Sequence, residues 1–401
     1  MTNEEYILLN RNKDIRSLAL SKMPEGVNAL WALQQIEGYQ LALRKLPLWA
    51  KTDGLHFPPR ISMEQCSSEA TAQYKAGIIQ RLLHDIDPGS PTSLMDITGG
   101  FGVDFSYMAR CTDHATYVEQ QPHLCDAARH NMPLLGLNHA HIINGDSAAA
   151  IASMEGTTVV FADPARRDTA GNKTVAIGDC TPDIALLQDS ILLQAQYLIV
   201  KLSPMLDITA ALKALHHVCE VHVISVKGEC KELLFVQSAK RPHPLSFHCA
   251  NLDTCQHDFV CQAKAPHQTD TEGFNVSMPA VGQHLFEPNA SILKAGMQDA
   301  FAHHYALSKL HPMSNLYVSP APCDASIPAR QFTIEAIYDF SKQDIKKIKD
   351  LKQANLTIRN FPATVADLRK RMKLKEGGSK YLFATTLCDG SHAILCCVKV
   401  P

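Results

Sequence analysis

The sequence is short of the features that mark several protein classes. No apolar run reaches the ~18 residues that a membrane helix needs. The nearest, Ile191–Leu202, is interrupted by Gln194, Gln196 and Lys201. The chain starts Met-Thr-Asn-Glu-Glu, without a basic segment and apolar core, so no signal peptide is expected. Glycine and proline together make 42 of 401 residues, which excludes collagenous or low-complexity architecture. Charge of one sign is also lacking: 38 Lys+Arg against 40 Asp+Glu leave a net of -2, so the whole chain is not a polybasic nucleic-acid binder. No internal repeat is present. Thirteen cysteines, an odd and scattered set, point to a reduced cytoplasm rather than a disulfide framework. What is there is 46% hydrophobic residues in a chain long enough for two or three domains.

Four regions follow from the patterning. Residues 1–90 read as helical, with apolar spacing at Leu30, Leu33 and Ile36, a break at Pro58-Pro59, and a new helix from Ser67-Ser68-Glu69 to Leu83. Residues 91–240 alternate short apolar runs with helical stretches. The runs are Leu94–Thr98, Thr116–Glu119, His141–Asn144, Val159–Ala162 and Tyr197–Leu202, with helices at Cys125–Leu137 and Ile184–Ala195. That alternation implies a parallel sheet covered by helices. Val221–Val226 and Leu233–Gln237 then read as a closing hairpin. Residues 241–329 are rich in His, Pro and Asn and read as a connector with short strands and one helix, Ala290–Leu307. Residues 330–401 read as a small α+β domain: strands Phe332–Ile337, Leu356–Arg359, Tyr381–Thr386 and Ala393–Val400, with a helix Lys342–Ala354. This last region carries fourteen Lys+Arg and seven Asp+Glu, a local net of +7, so the rest of the chain carries -9.

Two motifs carry chemistry. The first, Asp96-Ile97-Thr98-Gly99-Gly100-Phe101-Gly102-Val103-Asp104, follows a predicted strand and opens a helix. Glycines there let the backbone turn tightly and approach a ligand. Glu119 ends the next strand after this motif, where a carboxylate can accept both hydroxyls of a ribose. The reading is a nucleoside-containing cofactor; the bland alternative is a tight turn with no ligand. A dinucleotide fingerprint wants a third glycine where Phe105 stands, and Asp104 puts negative charge where a pyrophosphate would sit. That charge is harmless beside the sulfonium of S-adenosylmethionine.

The second motif is Asp163-Pro164-Ala165-Arg166-Arg167, directly after the strand Val159–Ala162, over the crevice where the cofactor's reactive end would point. Between strands three and four, Asp146 and Ser147 offer a carboxylate and a hydroxyl to the adenine amino group.

In this order, the residues from Thr92 to Gln237 resemble a class I S-adenosylmethionine-dependent methyltransferase. The wider chain resembles a bacterial group of such proteins with a C-terminal THUMP-like domain. The matching runs are Ser68–Ala76, Asp163–Arg167, Gly228–Glu232, Arg359–Pro362 and Gly377–Leu382. The resemblance implies an α/β fold: a seven-stranded Rossmann-like methyltransferase sheet, an N-terminal helical region and a small α+β C-terminal domain. It implies S-adenosyl-L-methionine held by Asp96, Thr98, Gly99, Gly100, Phe101, Gly102, Glu119, Asp146 and Ser147. It also implies that Asp163 and Pro164 position the acceptor. THUMP domains in other enzymes bind RNA, so an RNA acceptor, rRNA or tRNA, is implied as well.

Two departures narrow the chemistry. Ala165-Arg166 stands where exocyclic-amine methyltransferases carry an aromatic residue, so base stacking must come from elsewhere or from an Arg plane. The run Lys201-Leu202-Ser203-Pro204 has no cysteine where pyrimidine-C5 enzymes keep their nucleophile, which counts against covalent chemistry. Direct displacement by an acceptor nitrogen or oxygen remains, with Asp163 holding it or taking its proton. Arg166, Arg167 and Lys201 are candidate substrate contacts; the two arginines are also readable as a solvated pair, and a strand-end lysine such as Lys201 is more often a salt-bridge partner. Thr71 and Lys75 lie a helical turn apart, on a helix that either closes over the cofactor or packs on the sheet with Lys75 solvated.

The basic residues Lys346, Lys347, Lys349, Lys352, Arg369, Lys370, Arg371, Lys373 and Lys375 can neutralise phosphates or simply form a solvated face. The set His248, Cys249, Cys255, His257 and Cys261 has zinc-type residues but lacks paired ligand spacing, so no metal is expected. Two other functions stay open: a small-molecule or protein methyltransferase, and a non-catalytic RNA-binding protein that keeps the fold. A nicotinamide oxidoreductase is a weaker third.

Overall fold

The structure is a computed structural model. It describes residues 1–166, 177–240, 244–252, 254, 256–263 and 275–400, with Arg166 described through its backbone alone. The chain divides into two units: Met1–Cys219 with Leu234–His243, and Glu220–Leu233 with Pro244–Pro401.

The first unit opens with six helices: α1 Asn3–Asn10, α2 Ile15–Leu20, α3 Ala29–Lys45, α4 Pro47–Lys51, α5 Arg60–Gln65 and α6 Glu69–Leu83. Ser68 caps α6 by accepting the Thr71 N–H (3.3 Å), which explains why the helix starts where the Ser-Ser-Glu run places it. Then β1 Ser93–Asp96, β2 His114–Glu119, β3 Ala140–Asn144, β4 Val159–Ala162 and β7 Tyr197–Leu202 pair in parallel. A two-stranded ribbon, β5 Ala165–Arg166 and β6 Cys180–Thr181, stands apart from that sheet. Helices α7 Val103–Met108, α8 Pro122–Leu134, α9 Ser147–Ala152, α10 Ile184–Gln194 and α11 Ile208–Ala214 fall between the strands. Val159, Val160 and Phe161 of β4 and Leu198, Ile199 and Val200 of β7 are wholly buried, as strands covered on both faces must be.

The hairpin β8 Val218–Val226 and β9 Glu229–Gln237 turns at Lys227-Gly228, both at positive φ (53° and 74°), as a tight two-residue turn requires. The sheet order β3-β2-β1-β4-β7-β9-β8 is the seven-stranded Rossmann-like arrangement expected. It continues through β10 Ser246–Asn251, parallel to β8, and β11 Phe259–Gln262, antiparallel to β10. The sequence indicated only short strands in this His- and Pro-rich stretch, and not that they extend the sheet, because β10 joins it by pairing with β8 across a gap in sequence.

The second unit holds a seven-stranded sheet in the order β13-β14-β12-β15-β18-β17-β16. Its strands are β12 His284–Pro288, β13 Ser308–Lys309, β14 Tyr317–Ser319, β15 Ala329–Asp339, β16 Asn355–Arg359, β17 Lys380–Thr386 and β18 His392–Lys399. The helix expected over Ala290–Leu307 is two helices, α12 Ala290–Ala295 and α13 Gln298–His304. Gly296 separates them in a left-handed conformation (φ 72°) that ends α12. The helix expected over Lys342–Ala354 stops earlier, as α14 Lys342–Lys349, and the basic run 369–371 belongs to α15 Val365–Met372. Ile345, Ile348, Leu368 and Met372 of these helices share an apolar cluster with Leu382, Ala384 and Ile394 of the sheet. Buried Glu287 of β12 accepts from Arg330 of β15 (Nε, 2.7 Å) and Arg359 of β16 (2.5 Å), which gives Arg359 of the Arg-Asn-Phe-Pro run a structural task.

Glu287→Gln keeps the shape and removes the charge that two half-exposed guanidiniums face. The expected loss is about 1–3 kcal/mol of local stability. Amide hydrogen exchange at β12, β15 and β16 should quicken together; unchanged exchange there would show that the cluster holds nothing.

Candidate active site

A cleft of 390 Å³ opens in the first unit, where β1 and β4 end. Strand order reverses between β1 and its neighbours, and this is where open α/β sheets bind ligands. The glycine loop forms its floor. Gly99 lies so close to the Tyr117 ring that a Cβ would sit 2.2 Å from it, and Gly102 turns into α7 at φ 85°. The Tyr117 hydroxyl donates to the Gly100 carbonyl, and burial followed by the Glu119 charge keeps that phenol protonated. Glu119 accepts the Gly100 N–H (2.9 Å) on one carboxylate oxygen and the Gln121 N–H (2.9 Å) on the other. Each oxygen keeps lone-pair capacity toward the cleft.

The N-terminal helices hold this loop from behind. Trp49 packs on Phe101 (4.8 Å between ring centroids), and its indole N–H donates to Ser106 of α7 (3.3 Å). Gln35 of α3 accepts the Phe57 N–H (2.6 Å), and the Phe57 ring also packs near Phe101 (6.5 Å between centroids).

Charge is concentrated at one end. Lys75 of α6, wholly buried, lies 3.2 Å from Asp104 of α7. Lys201 of β7 lies 3.2 Å from Asp104 and 2.6 Å from Asp163, and it donates to Ser67 (3.0 Å). Ser67 in turn donates to Asp104 (2.7 Å). Burial opposes the Asp104 charge, but Lys201, Lys75 and Ser67 outweigh it and hold the carboxyl below its usual range. Thr98 ties the glycine loop to Asp163: its hydroxyl accepts the Asp163 N–H (2.6 Å) and donates to Asp96 (3.2 Å). Asp96, wholly buried, is pushed up to about 8 by desolvation, so it keeps its proton near neutrality.

Of the residues singled out in sequence, Asp96, Thr98, Gly99, Gly100, Phe101, Gly102, Glu119, Ser147, Asp163 and Lys201 line the cleft together. Several others stand differently. Asp146 is not among the lining residues: it caps α9 through Ala148 N–H (2.8 Å) and accepts from Gln120 (2.8 Å), which does line the cleft. Pro164 is buried beside the cleft rather than lining it. Thr71 is a helix-start residue whose hydroxyl donates to the Ser68 carbonyl (3.1 Å). Lys75 is not solvated and is not among the residues lining the cleft, because Asp104 holds it inside. The Asp104 charge invoked against a pyrophosphate is thus already paired with two lysines. Lys201 is committed to two carboxylates, so it positions Asp163 instead of standing free for a phosphate. The Arg166 side chain and Arg167 lie outside the described residues.

Sequence reasoning missed Ser67, Cys66, Gln65 and Ser62, which bring the α5–α6 connection to the cleft, and Thr181-Pro182, at the end of β6. Ser67 had carried a signal, the Ser-Ser-Glu run, read only as a helix start. Burial pushes the Cys66 thiol up, and its Sγ donates to the Met63 carbonyl (3.2 Å). In the set weighed as a metal site, His248 and Cys249 are neighbours on β10 and face opposite ways, and Cys255 lies outside the described residues.

Comparison with known proteins agrees with this frame. A family described as THUMP domain-like matches residues 329–399, and one described as a ferredoxin-like domain matches residues 284–325. The crystal structure of a "putative methyltransferase" from Porphyromonas gingivalis W83 is similar over the whole length. Its identity is 31%, it covers 100% of this chain and 98% of its own, and the TM-score is 0.85. An S-adenosylmethionine-dependent methyltransferase of Agrobacterium tumefaciens (15% identity, 42% and 61% of the two chains, TM-score 0.33) matches in part. So does an rRNA methylase of Streptococcus thermophilus (11% identity, 41% and 94%, TM-score 0.30). A comparison with curated proteins returns no match. The fold and full-length similarity define an S-adenosylmethionine-dependent methyltransferase of class I. Within that class, the chain belongs to the bacterial group that carries a C-terminal THUMP-like domain. No helix among the described residues is long and apolar enough to cross a membrane.

Two expectations follow from the charges. Lys75→Met leaves Asp104 buried with one lysine, and unit-one stability should drop by about 3 kcal/mol. Adding Asp104→Asn should restore much of that loss. Denaturant midpoints read from Trp31 and Trp49 fluorescence, the chain's two tryptophans and both in the first unit, would show it. Equal loss in the single and double variants would contradict the pairing. The second expectation concerns Asp96, whose carboxyl is raised in the folded state. The native form therefore binds the proton more tightly than the unfolded one, and this group's contribution is lost as pH rises from about 4 toward 8. Asp96→Asn should gain on the parent protein across that window in the same assay; parallel pH curves would refute it.

Proposed function

We propose that the protein transfers the methyl group of S-adenosylmethionine to a base nitrogen or oxygen of structured RNA, rRNA or tRNA. The observation that carries this reading is the presence, in one chain, of a cleft lined by Glu119 and Asp163 and a basic THUMP-like module. The donor supplies an electrophilic methyl on a sulfonium. The residues present fit it: Gly99 and Gly100 bring backbone without side chains to the cleft, and Glu119 offers both oxygens to ribose hydroxyls. Ser147, Leu124 and Gln120 line the stretch assigned to adenine, with Asp146 orienting Gln120.

Asp163 is the acceptor-side residue. Lys201 holds and aims its carboxylate, and Pro164 fixes the chain after it. As a carboxylate it can only accept, so it suits an N–H or O–H that must be lined up with the methyl and then lose its proton. Cys66 is the cysteine lining the cleft, and its raised thiol does not favour a covalent route. On the module, Lys346, Lys347, Lys370, Arg371, Lys373 and Lys375 are exposed on and after α14 and α15. Arg371 stacks over Phe340 (4.5 Å) and Lys347 pairs with Asp344 (2.7 Å), which leaves the others as the stronger phosphate contacts.

The test is transfer of labelled methyl from S-adenosylmethionine by the full chain to unmodified total RNA. Total protein and small-molecule extract are run beside it. Label should enter one sized RNA fraction and fall at least ~100-fold in Asp163→Ala. Label only in protein or small molecules would overturn the RNA acceptor. No label anywhere, with the cofactor bound, would favour a non-catalytic RNA-binding role. In the full chain, Lys346→Glu and Lys370→Glu should each weaken RNA binding and lower the salt slope by about one.

A further inference from the structure

A second cluster of chemically able side chains lies on β8 and β10, within the second unit and apart from the cleft. These strands run parallel, with Glu220 opposite Ser246 and His222 opposite His248. Side chains alternate along a strand, so all four share one face in a two-by-two block. The Glu220 carboxylate and the two imidazoles place ligand atoms within 4.8 Å of one another. His222 is buried, with 2% exposure, and its ring stacks on that of His248 at 4.4 Å and 18°.

The direction of the rings matters more than their proximity. His222 Nε2 lies 2.8 Å from a Glu220 carboxylate oxygen, and His248 Nε2 lies 3.0 Å from Ser246 Oγ. Glu220 and Ser246 are register partners in one row of the block. Both Nε2 atoms therefore point the same way along the strands, into that row, and converge with the carboxylate.

We propose that Glu220, His222 and His248 form a binding site for a borderline divalent cation of the zinc class, separate from the methyl-transfer cleft. Two imidazoles and one carboxylate suit zinc-type ions and not magnesium or calcium, which take oxygen ligands. Bonds of roughly 2.0–2.2 Å in a tetrahedron space the ligand atoms roughly 3.3 Å apart. The distances seen bracket that value, so side-chain rotation closes the site without moving the strands. Three protein ligands leave a fourth position for water or the Ser246 hydroxyl. Each histidine must present a bare Nε2, with its remaining hydrogen on Nδ1, so protons compete with the ion. An ion there would clip β10 onto β8. The sequence pattern is Glu-x-His on one strand plus a distant histidine, His248, on another, a spacing that only strand pairing makes compact.

The experiment strips the full chain with a chelator, then titrates it with Zn2+ against a chromophoric competitor. The thirteen cysteines can also take zinc, so the readout is a difference in stoichiometry. The unaltered protein should hold one equivalent more than the His222→Gln/His248→Gln variant. That equivalent should weaken at least tenfold between about pH 7.5 and about pH 5.5. With Co2+ it should give no thiolate charge-transfer band. Equal stoichiometry in two proteins with matching circular dichroism would overturn the site. Glu220→Gln keeps size and both histidines, and covers the case in which the double variant fails to fold. It should weaken the same equivalent at least tenfold, and an unchanged affinity would equally overturn the proposal.

Discussion

The first unit depends on one buried carboxylate. Asp104 sits inside α7 with Lys75 on one side and Lys201 on the other, and Ser67 closes the group. An unpaired charge at that depth would cost several kcal/mol, so the four side chains have to be brought in together. They come from the α5–α6 connection, from α6, from α7 and from β7. The N-terminal helices, the glycine loop and the central sheet are thereby made mutually necessary.

The same group reaches the cleft. Lys201 reaches both Asp104 and Asp163, so a structural charge fixes the orientation of the Asp163 carboxylate at the cleft. Thr98 makes a parallel link through the backbone of Asp163. The glycine loop rests on packing instead: Tyr117 against Gly99, and Trp49 and Phe57 against Phe101. The N-terminal region is therefore part of the cleft's construction, a role its helical periodicity alone did not reveal.

What was legible in the sequence follows a physical rule. The glycine loop, Glu119 and Asp163 each end a strand, and a parallel sheet gathers strand ends at one edge. Reading strand positions was therefore enough to bring them together. Val159–Ala162 and Tyr197–Leu202 were read to the residue because buried strands are nearly continuous apolar runs, broken in the second only by Lys201. Lys75, Ser67 and Gln120 were not legible as site builders, since their roles depend on which helix face meets the sheet. A lysine on a helix reads as solvated until its partner is seen. Strands β10 and β12 were not placed for a different reason: they lie in the His-, Pro- and Asn-rich stretch read only as a connector with short strands, and their pairing partners lie across gaps in sequence. The pairing of Glu220 and His222 with His248 was hidden for the same cause.

The central claim is that this cleft takes S-adenosylmethionine with Glu119 on the ribose. The most direct measurement is calorimetric titration of S-adenosylhomocysteine into the full chain and into Glu119→Ala. The account predicts a single site whose affinity falls at least tenfold in the variant, about 1.4 kcal/mol or more. Equal affinity in the two proteins, or no binding to either while both remain folded, would contradict it.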